Sequence, residues 1–166
     1  MTAQRTNPAA FADQPLKDVL TALASDATSP GSGAAAAAAL AFAAACAGKA
    51  LAISRKHRAA DESTNAAEKR LGELVESALG RADIDSALFE RFIHEKSAQS
   101  AADLLRADTA SQALARELDR LLNEIEATIH PVVVGDIAAA RVLLSAAGLI
   151  QGRIRAENQR AARALG

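Results

Sequence analysis

The sequence contains no tryptophan or tyrosine and only four phenylalanines among its 166 residues. A core without large aromatic side chains is built from leucine, valine, isoleucine and alanine, which favours packed helices over sheets. The single cysteine, Cys46, excludes a disulfide framework and is typical of a small buried residue in a reducing compartment. With no basic and apolar leader at the N-terminus, we expect a cytoplasmic protein.

The net charge is close to zero, and the metal ligands histidine and cysteine are few. The net charge is −1, whereas a nucleic-acid-binding protein is usually clearly basic, so we expect no nucleic-acid partner. The histidines, His57, His94 and His130, are single and far apart in the chain, and one cysteine cannot complete a zinc site. We therefore expect no metal. Neither a Gly-x-Ser-x-Gly elbow nor a phosphate-binding Walker sequence is present.

What the chain has in abundance is alanine, concentrated after the turn Ser29-Pro30-Gly31-Ser32-Gly33. Alanine is the best intrinsic helix former, so the run predicts a helix from about Gly33 to His57. The uncharged stretch is long enough to span a bilayer. However, alanine is weakly hydrophobic and Lys49 follows soon, so we interpret the run as the central helix of a bundle and expect no membrane.

Apolar residues elsewhere recur at helical spacing, as in Leu16, Val19, Leu20 and Leu23. The predicted helices run from Asp13-Gln14-Pro15 to near Ser25, from Ala59 to Gly80, from an Asp83 cap through Phe92, from about Ser100 to Ile129, and from an Asp136 cap to about Leu165. The Pro131 to Gly135 segment is predicted to be an extended link. We expect a single-domain, all-α bundle of five to six helices over residues 13–166, preceded by a mobile arm at 1–12.

A few residues are candidates for chemistry, each with a plain structural alternative. Pro30-Gly31-Ser32-Gly33 opens a helix whose free N–H groups can hold an anion, although an ordinary loop has the same composition. Asp136 begins a helix that favours its ionised form, or is simply an N-cap. Asp85 shares a helical face with Phe89, or is a solvated acid. Lys56 can complement a helix end, and the default for Arg153 is surface solvation.

Several separated segments together resemble one family, the folate cyclodeaminases and cyclohydrolases. This family comprises the C-terminal domain of formiminotransferase-cyclodeaminase and stand-alone bacterial methenyltetrahydrofolate cyclohydrolases. The matching segments are Leu23-Ala24-Ser25 with the Pro30-Gly31-Ser32-Gly33 turn, Ile53-Ser54-Arg55-Lys56, Asp85 to Phe89, Val134 to Ala140, and Leu149 to Ile154. They follow the family's order across nearly the whole chain.

The resemblance implies a helical homodimer with a folate cleft near the subunit contact. The substrate would be a tetrahydrofolate derivative, and the reaction would be hydrolysis of a methenyl bridge or cyclisation of a formimino group with loss of ammonia. The catalytic residues would be Asp136, which takes a proton from water or stabilises the cationic folate, Lys56, which protonates or orients the bridging heteroatom, and Asp85, which sets the charge of Lys56. The substrate-binding residues would be Pro30, Gly31, Ser32, Gly33, Gln151 and Arg153.

The sequence departs from the family pattern within these motifs. Ser32 replaces a glycine, Ala34 and Gly135 replace serines, and Gln151 replaces an asparagine. The alternative to an enzyme is therefore a divergent helical dimer that has lost or changed the folate reaction and acts as a binding or assembly protein. A generic helical interaction module is a third possibility. Enzymatic activity on a folate separates the first hypothesis from the others.

Overall fold

A computed structural model describes residues 10–57 and 62–165 of the chain, and these form an all-α structure. The five α-helices are α1 (Leu16–Leu23), α2 (Ser32–Ser54), α3 (Glu62–Glu95), α4 (Ala98–Ile125) and α5 (Val134–Leu165). Four short 3₁₀ helices lie at Phe11–Asp13, Arg55–His57, Glu126–Thr128 and Pro131–Val133. The predicted fold class and number of α-helices are confirmed over the described residues.

The four long helices form a closed bundle. Helix α2 packs along α3 and α5, and α4 packs along the same two helices, so α2 and α4 occupy opposite corners. The helices are joined by short connections, which makes consecutive helices antiparallel neighbours. One end of the bundle therefore contains the start of α2, the end of α3, the start of α4 and the end of α5.

The alanine-rich helix α2 is central, as predicted. Its methyl-lined surface is buried at Ala36, Ala43, Ala47 and Ala50, each at most 1% exposed, because small side chains let α3 and α5 approach closely. Leucines from the neighbouring helices complete the core; they include Leu71, Leu74, Leu118 and Leu122.

Two helices in the described part of the chain are long and apolar enough to span a membrane. They are the stretches Ser32–His57 and Pro131–Leu165. This is weak evidence, because a core helix of a soluble bundle has the same length and composition, and half of the most apolar window in the first stretch is buried. These two helices do not indicate a membrane protein.

The predicted break at Gly80 is wrong, since α3 continues without interruption from Glu62 to Glu95. A glycine inside a helix costs only about 1 kcal/mol relative to alanine. The buried residues Ala78 and Ala82 on either side fix the helix against its neighbours. Asp83 consequently does not begin a helix; its Oδ1 accepts a hydrogen bond from the backbone N–H of Phe11, the first residue of the 3₁₀ helix Phe11–Asp13, at 2.9 Å.

Two of the predicted helix starts are also wrong. Pro15 rather than Asp13 is the N-cap residue of α1, because Asp13 ends a 3₁₀ turn. The segment predicted to be an extended link begins with the 3₁₀ turn Pro131–Val133, and α5 starts at Val134, so Asp136 lies inside its first turn. Of the predicted N-terminal arm, residues 1–9 lie outside the described part, while Phe11 is 9% exposed and packs beside Ala82.

Candidate active site

A cleft of about 250 Å³ opens at the end of the bundle where α2 begins. Its polar wall contains the glycine turn before α2, and its apolar wall contains Phe89, Leu104 and Ile154. The described lining residues are Thr28, Ser29, Gly31, Ser32, Gly33, Asp85, Ser86, Phe89, Leu104, Ile154, Glu157 and Asn158. The antiparallel order of the helices explains why residues so distant in the sequence share this cleft.

The carboxylate of Asp85 lies directly against the backbone of Gly33. A Cβ atom at position 33 would overlap both carboxylate oxygens of Asp85. Glycine is therefore required here for the close approach of an acid on α3. Gly31 is different, because a Cβ atom there would meet no heavy atom within 4 Å.

The electrostatics of Asp85 are unusual for an aspartate. Burial raises the pKa of its carboxyl group to about 6, and the negative charge of Asp108 acts in the same direction. The positive charge of Arg81 opposes both effects. A carboxyl group with this pKa is present in both protonation states near neutral pH and can therefore exchange protons with a ligand.

Asp108 and Asn158 form a second polar group beside the cleft. The Asn158 Nδ2–H donates to Asp108 Oδ2 at 3.1 Å, and both residues are only 9% exposed. Burial raises the pKa of Asp108, while the hydrogen bond from Asn158 and the charges of Arg155 and Arg81 lower it. Sequence reasoning missed this pair. A signal existed, since Asp108 follows Leu104 by four residues on a stripe predicted to be buried.

A smaller recess of about 20 Å³ adjoins the cleft and shares Gly33, Asp85 and Ile154 with it. Gln151 lines this recess and is 7% exposed, yet its buried Oε1 accepts no hydrogen bond from any described residue. Arg81 also lines the recess, and its guanidinium donates to the backbone oxygen of Ala107 at 3.0 Å and to Ser111 Oγ at 3.3 Å.

The predicted site residues separate into two groups within one chain. Gly31, Ser32, Gly33 and Asp85 line the cleft, and Gln151 lines the adjoining recess. Pro30 is half-buried in the same turn and follows Ser29 through a cis peptide bond. Arg153 is exposed on α5.

Asp136 and Lys56 lie at the opposite end of the bundle. Lys49 Nζ donates to Asp136 Oδ1 at 3.0 Å, and Lys56 is exposed in the 3₁₀ turn that follows α2. Lys49 is 16 residues beyond Gly33 on α2, which corresponds to about 24 Å at 1.5 Å per residue. One chain alone therefore brings neither Asp136 nor Lys56 to Asp85, so the expected influence of Asp85 on the charge of Lys56 is wrong within a single chain.

The sequence suggested that the histidines are isolated from one another, but two of them are in contact. The rings of His57 and His130 stack with centroids 4.1 Å apart. Ser54 Oγ accepts a hydrogen bond from the backbone N–H of His130 at 2.8 Å. Across residues 10–57 and 62–165, no group of three or more histidine, cysteine, aspartate or glutamate side chains could hold a metal ion.

The described residues form a helical bundle with a cleft at one end whose walls are partly polar and partly apolar. A family model described as formiminotransferase-cyclodeaminase matches residues 15–152, and the chain belongs to this family. The resemblance noted in the sequence is thereby confirmed. Among curated proteins, none matches the chain.

A solved structure is also similar over most of its length. The formiminotetrahydrofolate cyclodeaminase of Thermotoga maritima superposes with a TM-score of 0.84 and covers 90% of this chain and 80% of its own. The two sequences are 16% identical. At this identity the match establishes a shared fold, and the reaction has to be argued from the cleft itself.

Proposed function

We propose that this protein is a folate-dependent enzyme of one-carbon metabolism, a methenyltetrahydrofolate cyclohydrolase or a formiminotetrahydrofolate cyclodeaminase. Family membership supports a folate substrate. The observation that carries the proposal is the contact between Asp85 and Gly33, which places a proton-exchanging carboxyl group in a cleft of about 250 Å³ at a glycine turn. The apolar side chains of Phe89, Leu104 and Ile154 provide a surface for a heterocyclic ring.

In the hydrolytic reaction, a water oxygen bonds to the methenyl carbon and one of the two carbon–nitrogen bonds of the bridge breaks. Ionised Asp85 accepts a proton from the water and returns one to the departing nitrogen, so that the methenyl cation and water yield a formyl product and one released proton. In the cyclisation, a ring-closing nitrogen bonds to the formimino carbon, loses its proton, and ammonia departs after the leaving nitrogen is protonated. Asp85 serves both reactions because it can accept and donate a proton near neutral pH.

We further propose that the protein is a homodimer that pairs through α5. Seven residues of this helix, spaced alternately by three and four, are exposed on one side: Gly135, Ala138, Val142, Ser145, Leu149, Gly152 and Ala156. We call this stripe the α5 seam. Val142 and Leu149 are 69% and 71% exposed, and a 3–4 spacing of small and apolar residues is the pattern of a two-helix interface.

The α5 seam fits a two-fold, antiparallel contact. Its midpoint lies between Ser145 and Ala146, so Val142 pairs with Leu149 of the partner subunit in both directions. In this register Asp136 of the partner subunit lies at the level of Arg155, next to the cleft residues Ile154 and Glu157. The catalytic roles proposed for Asp136 and Lys56, and the expected influence of Asp85 on the charge of Lys56, thus depend on the dimer, whereas the proton transfer proposed for Asp85 does not.

Two assays of the purified full chain test this function. Decay of methenyltetrahydrofolate absorbance above the buffer rate supports the cyclohydrolase, and ammonia release from formiminotetrahydrofolate supports the cyclodeaminase. If neither reaction is accelerated and no folate raises the melting temperature, the enzyme proposal is wrong. A dimer without either activity would leave the binding or assembly protein that the motif departures at Ser32, Ala34 and Gly135 allow, or a generic helical interaction module.

A further inference from the structure

The small recess beside the cleft has the volume of one water molecule. A cavity holds a single water once its volume reaches about 10–15 Å³, and this recess measures about 20 Å³. It shares Gly33, Asp85 and Ile154 with the cleft of about 250 Å³, so the two spaces adjoin at these residues. A water in the recess therefore borders the space for the substrate, whereas a heterocyclic ring is too large to enter.

The side chains around the recess are rich in hydrogen-bond acceptors. Gln151 lines it and is 7% exposed, and its buried Oε1 atom accepts no hydrogen bond from any described residue. The acids Asp85 and Asp108 line it from α3 and α4. A buried acceptor without a protein donor is typically satisfied by an ordered water, which makes about three hydrogen bonds.

The charges around the recess favour a neutral occupant. Arg81 lines it together with the two acids, and its positive charge opposes a bound cation. Asp108 Oδ2 already accepts a hydrogen bond from Asn158 Nδ2 at 3.1 Å, whereas no described side chain donates to the carboxylate of Asp85. Asp85 and the Oε1 atom of Gln151 are therefore the acceptors available to a water.

We propose that the recess holds the water that attacks the methenyl carbon, with one O–H donated to Gln151 Oε1 and the other to the Asp85 carboxylate. This inference rests on the proposed function and selects the hydrolytic reaction from its two alternatives. Gln151 is then a positioning residue that holds the water, and Asp85 has the single role of accepting and returning a proton.

The two hydrogen bonds direct an oxygen lone pair of the water away from both acceptors. As the oxygen–carbon bond forms, the hydrogen shared with Asp85 passes to the carboxylate, which leaves a neutral hydroxyl adduct. Asp85 returns this proton to the departing nitrogen as the carbon–nitrogen bond breaks. The hydroxyl hydrogen, held by Gln151, is the proton that the net reaction releases. The cyclisation uses a nitrogen of the substrate as its nucleophile, so Gln151 has no part in it.

Comparison of the two reactions separates the role of Gln151 from that of Asp85. Gln151→Met keeps the side-chain length and removes the oxygen. We expect it to lower kcat for methenyltetrahydrofolate hydrolysis by about 30-fold or more, because the water loses its alignment. The KM for this substrate and the rate of formiminotetrahydrofolate cyclisation should change by less than about threefold. Asp85→Asn should instead lower both reactions.

A matched variant and a crystal structure complete the test. Gln159→Met, the same change two helical turns further along α5 and outside the recess, should leave both reactions unchanged. Melting temperatures establish that the variants are folded. Crystals of the full wild-type chain should show an ordered water within about 3.2 Å of Gln151 Oε1 and of the Asp85 carboxylate, and this readout does not depend on turnover.

Three results would overturn the inference alone. They are a wild-type crystal structure without this water, cyclisation without hydrolysis by the wild-type protein, and a Gln151→Met variant that retains hydrolysis or loses both reactions equally. The proposed function survives each of them as long as one folate is turned over. An ordered water in a protein that turns over neither folate would instead reject the proposed function, and the water would then be structural.

Discussion

The carboxylate of Asp85 occupies the space in which a side chain at Gly33 would stand. An acid near the end of α3 and a glycine at the start of α2, 52 positions apart in the sequence, thus form one structural unit. The φ angle of Gly33 is not positive, so its backbone conformation does not require glycine. Glycine is needed here because it leaves room for the Asp85 carboxylate.

Gly33→Ala should displace Asp85 and lower folate turnover by about 100-fold or more, because a misplaced catalytic group loses its alignment with the substrate. The cost to folding stability should be small, because the overlapping atoms are the end of the rotatable Asp85 side chain, which can move aside. Turnover and thermal unfolding measure the two effects.

The control is Gly72→Ala on α3, where a Cβ atom meets nothing within 4 Å. It should retain activity and gain about 0.5–1 kcal/mol. Equal turnover in the two variants would disprove the requirement for glycine at position 33.

Asp85→Asn should stabilise the protein at pH 7.5 while removing a catalytic group. The pKa of Asp85 is about 6 in the folded state, above its value in an unfolded chain, so the native state binds the proton more tightly. Stability is therefore lost as the pH rises through this range, and the ionised acid costs about 1–2 kcal/mol at pH 7.5 once partial exposure is taken into account.

Urea unfolding at several pH values measures this effect. The stability advantage of Asp85→Asn should be present at pH 7.5 and shrink towards zero below about pH 4, where Asp85 is protonated in both states. Asp119→Asn, which changes an exposed acid on α4, is the control and should alter stability by less than about 0.5 kcal/mol. A destabilising Asp85→Asn at pH 7.5 would mean that the carboxylate has favourable partners.

Leu149→Glu should convert the protein to a monomer. The substitution places a charge opposite Val142 of the partner subunit at the centre of the α5 seam, where it loses its hydration. Light scattering after size-exclusion chromatography gives the molar mass. Leu20→Glu makes the same change at a residue that is also exposed, at 57%, but lies on α1. A dimer that survives Leu149→Glu and dissociates with Leu20→Glu would place the interface elsewhere.

Asp136→Ala should abolish turnover in the dimer although it changes stability little. Its ion pair with Lys49 is on the surface, with the lysine side chain 63% exposed, and such pairs contribute less than about 1 kcal/mol. Lys49→Ala removes the same pair and keeps the carboxylate. If both variants retain full activity, Asp136 has only a structural role, and catalysis depends on the residues of the Asp85 cleft.

The all-α fold could be predicted from the sequence because the helical spacing of apolar residues indicates which residues are buried. Leu71, Leu74 and Ala78 were expected on the inner face of one helix and are each at most 1% exposed. Local signals were less reliable at the helix ends. Gly80 is a weak helix former by itself, yet packing on both sides carries α3 through it.

The candidate site could be predicted from the sequence only in part. Asp85, Gly33 and Gln151 were singled out in separate motifs, but periodicity cannot tell which end of a bundle each residue occupies. The placement of Asp136 beside Lys49 depends on the antiparallel order of α2 and α5, which emerges from tertiary packing. Asp108 and Asn158 were detectable as polar residues on buried stripes, whereas the hydrogen bond between them was not.

The central claim is that Asp85 performs proton transfer on a folate in the cleft at the start of α2. The most direct test is the rate of methenyltetrahydrofolate hydrolysis and of formiminotetrahydrofolate deamination by wild-type protein and Asp85→Asn at pH 7.5. We predict that the wild-type protein accelerates at least one reaction and that Asp85→Asn, although folded, loses about 100-fold or more of that rate. Undiminished activity in Asp85→Asn would contradict the claim.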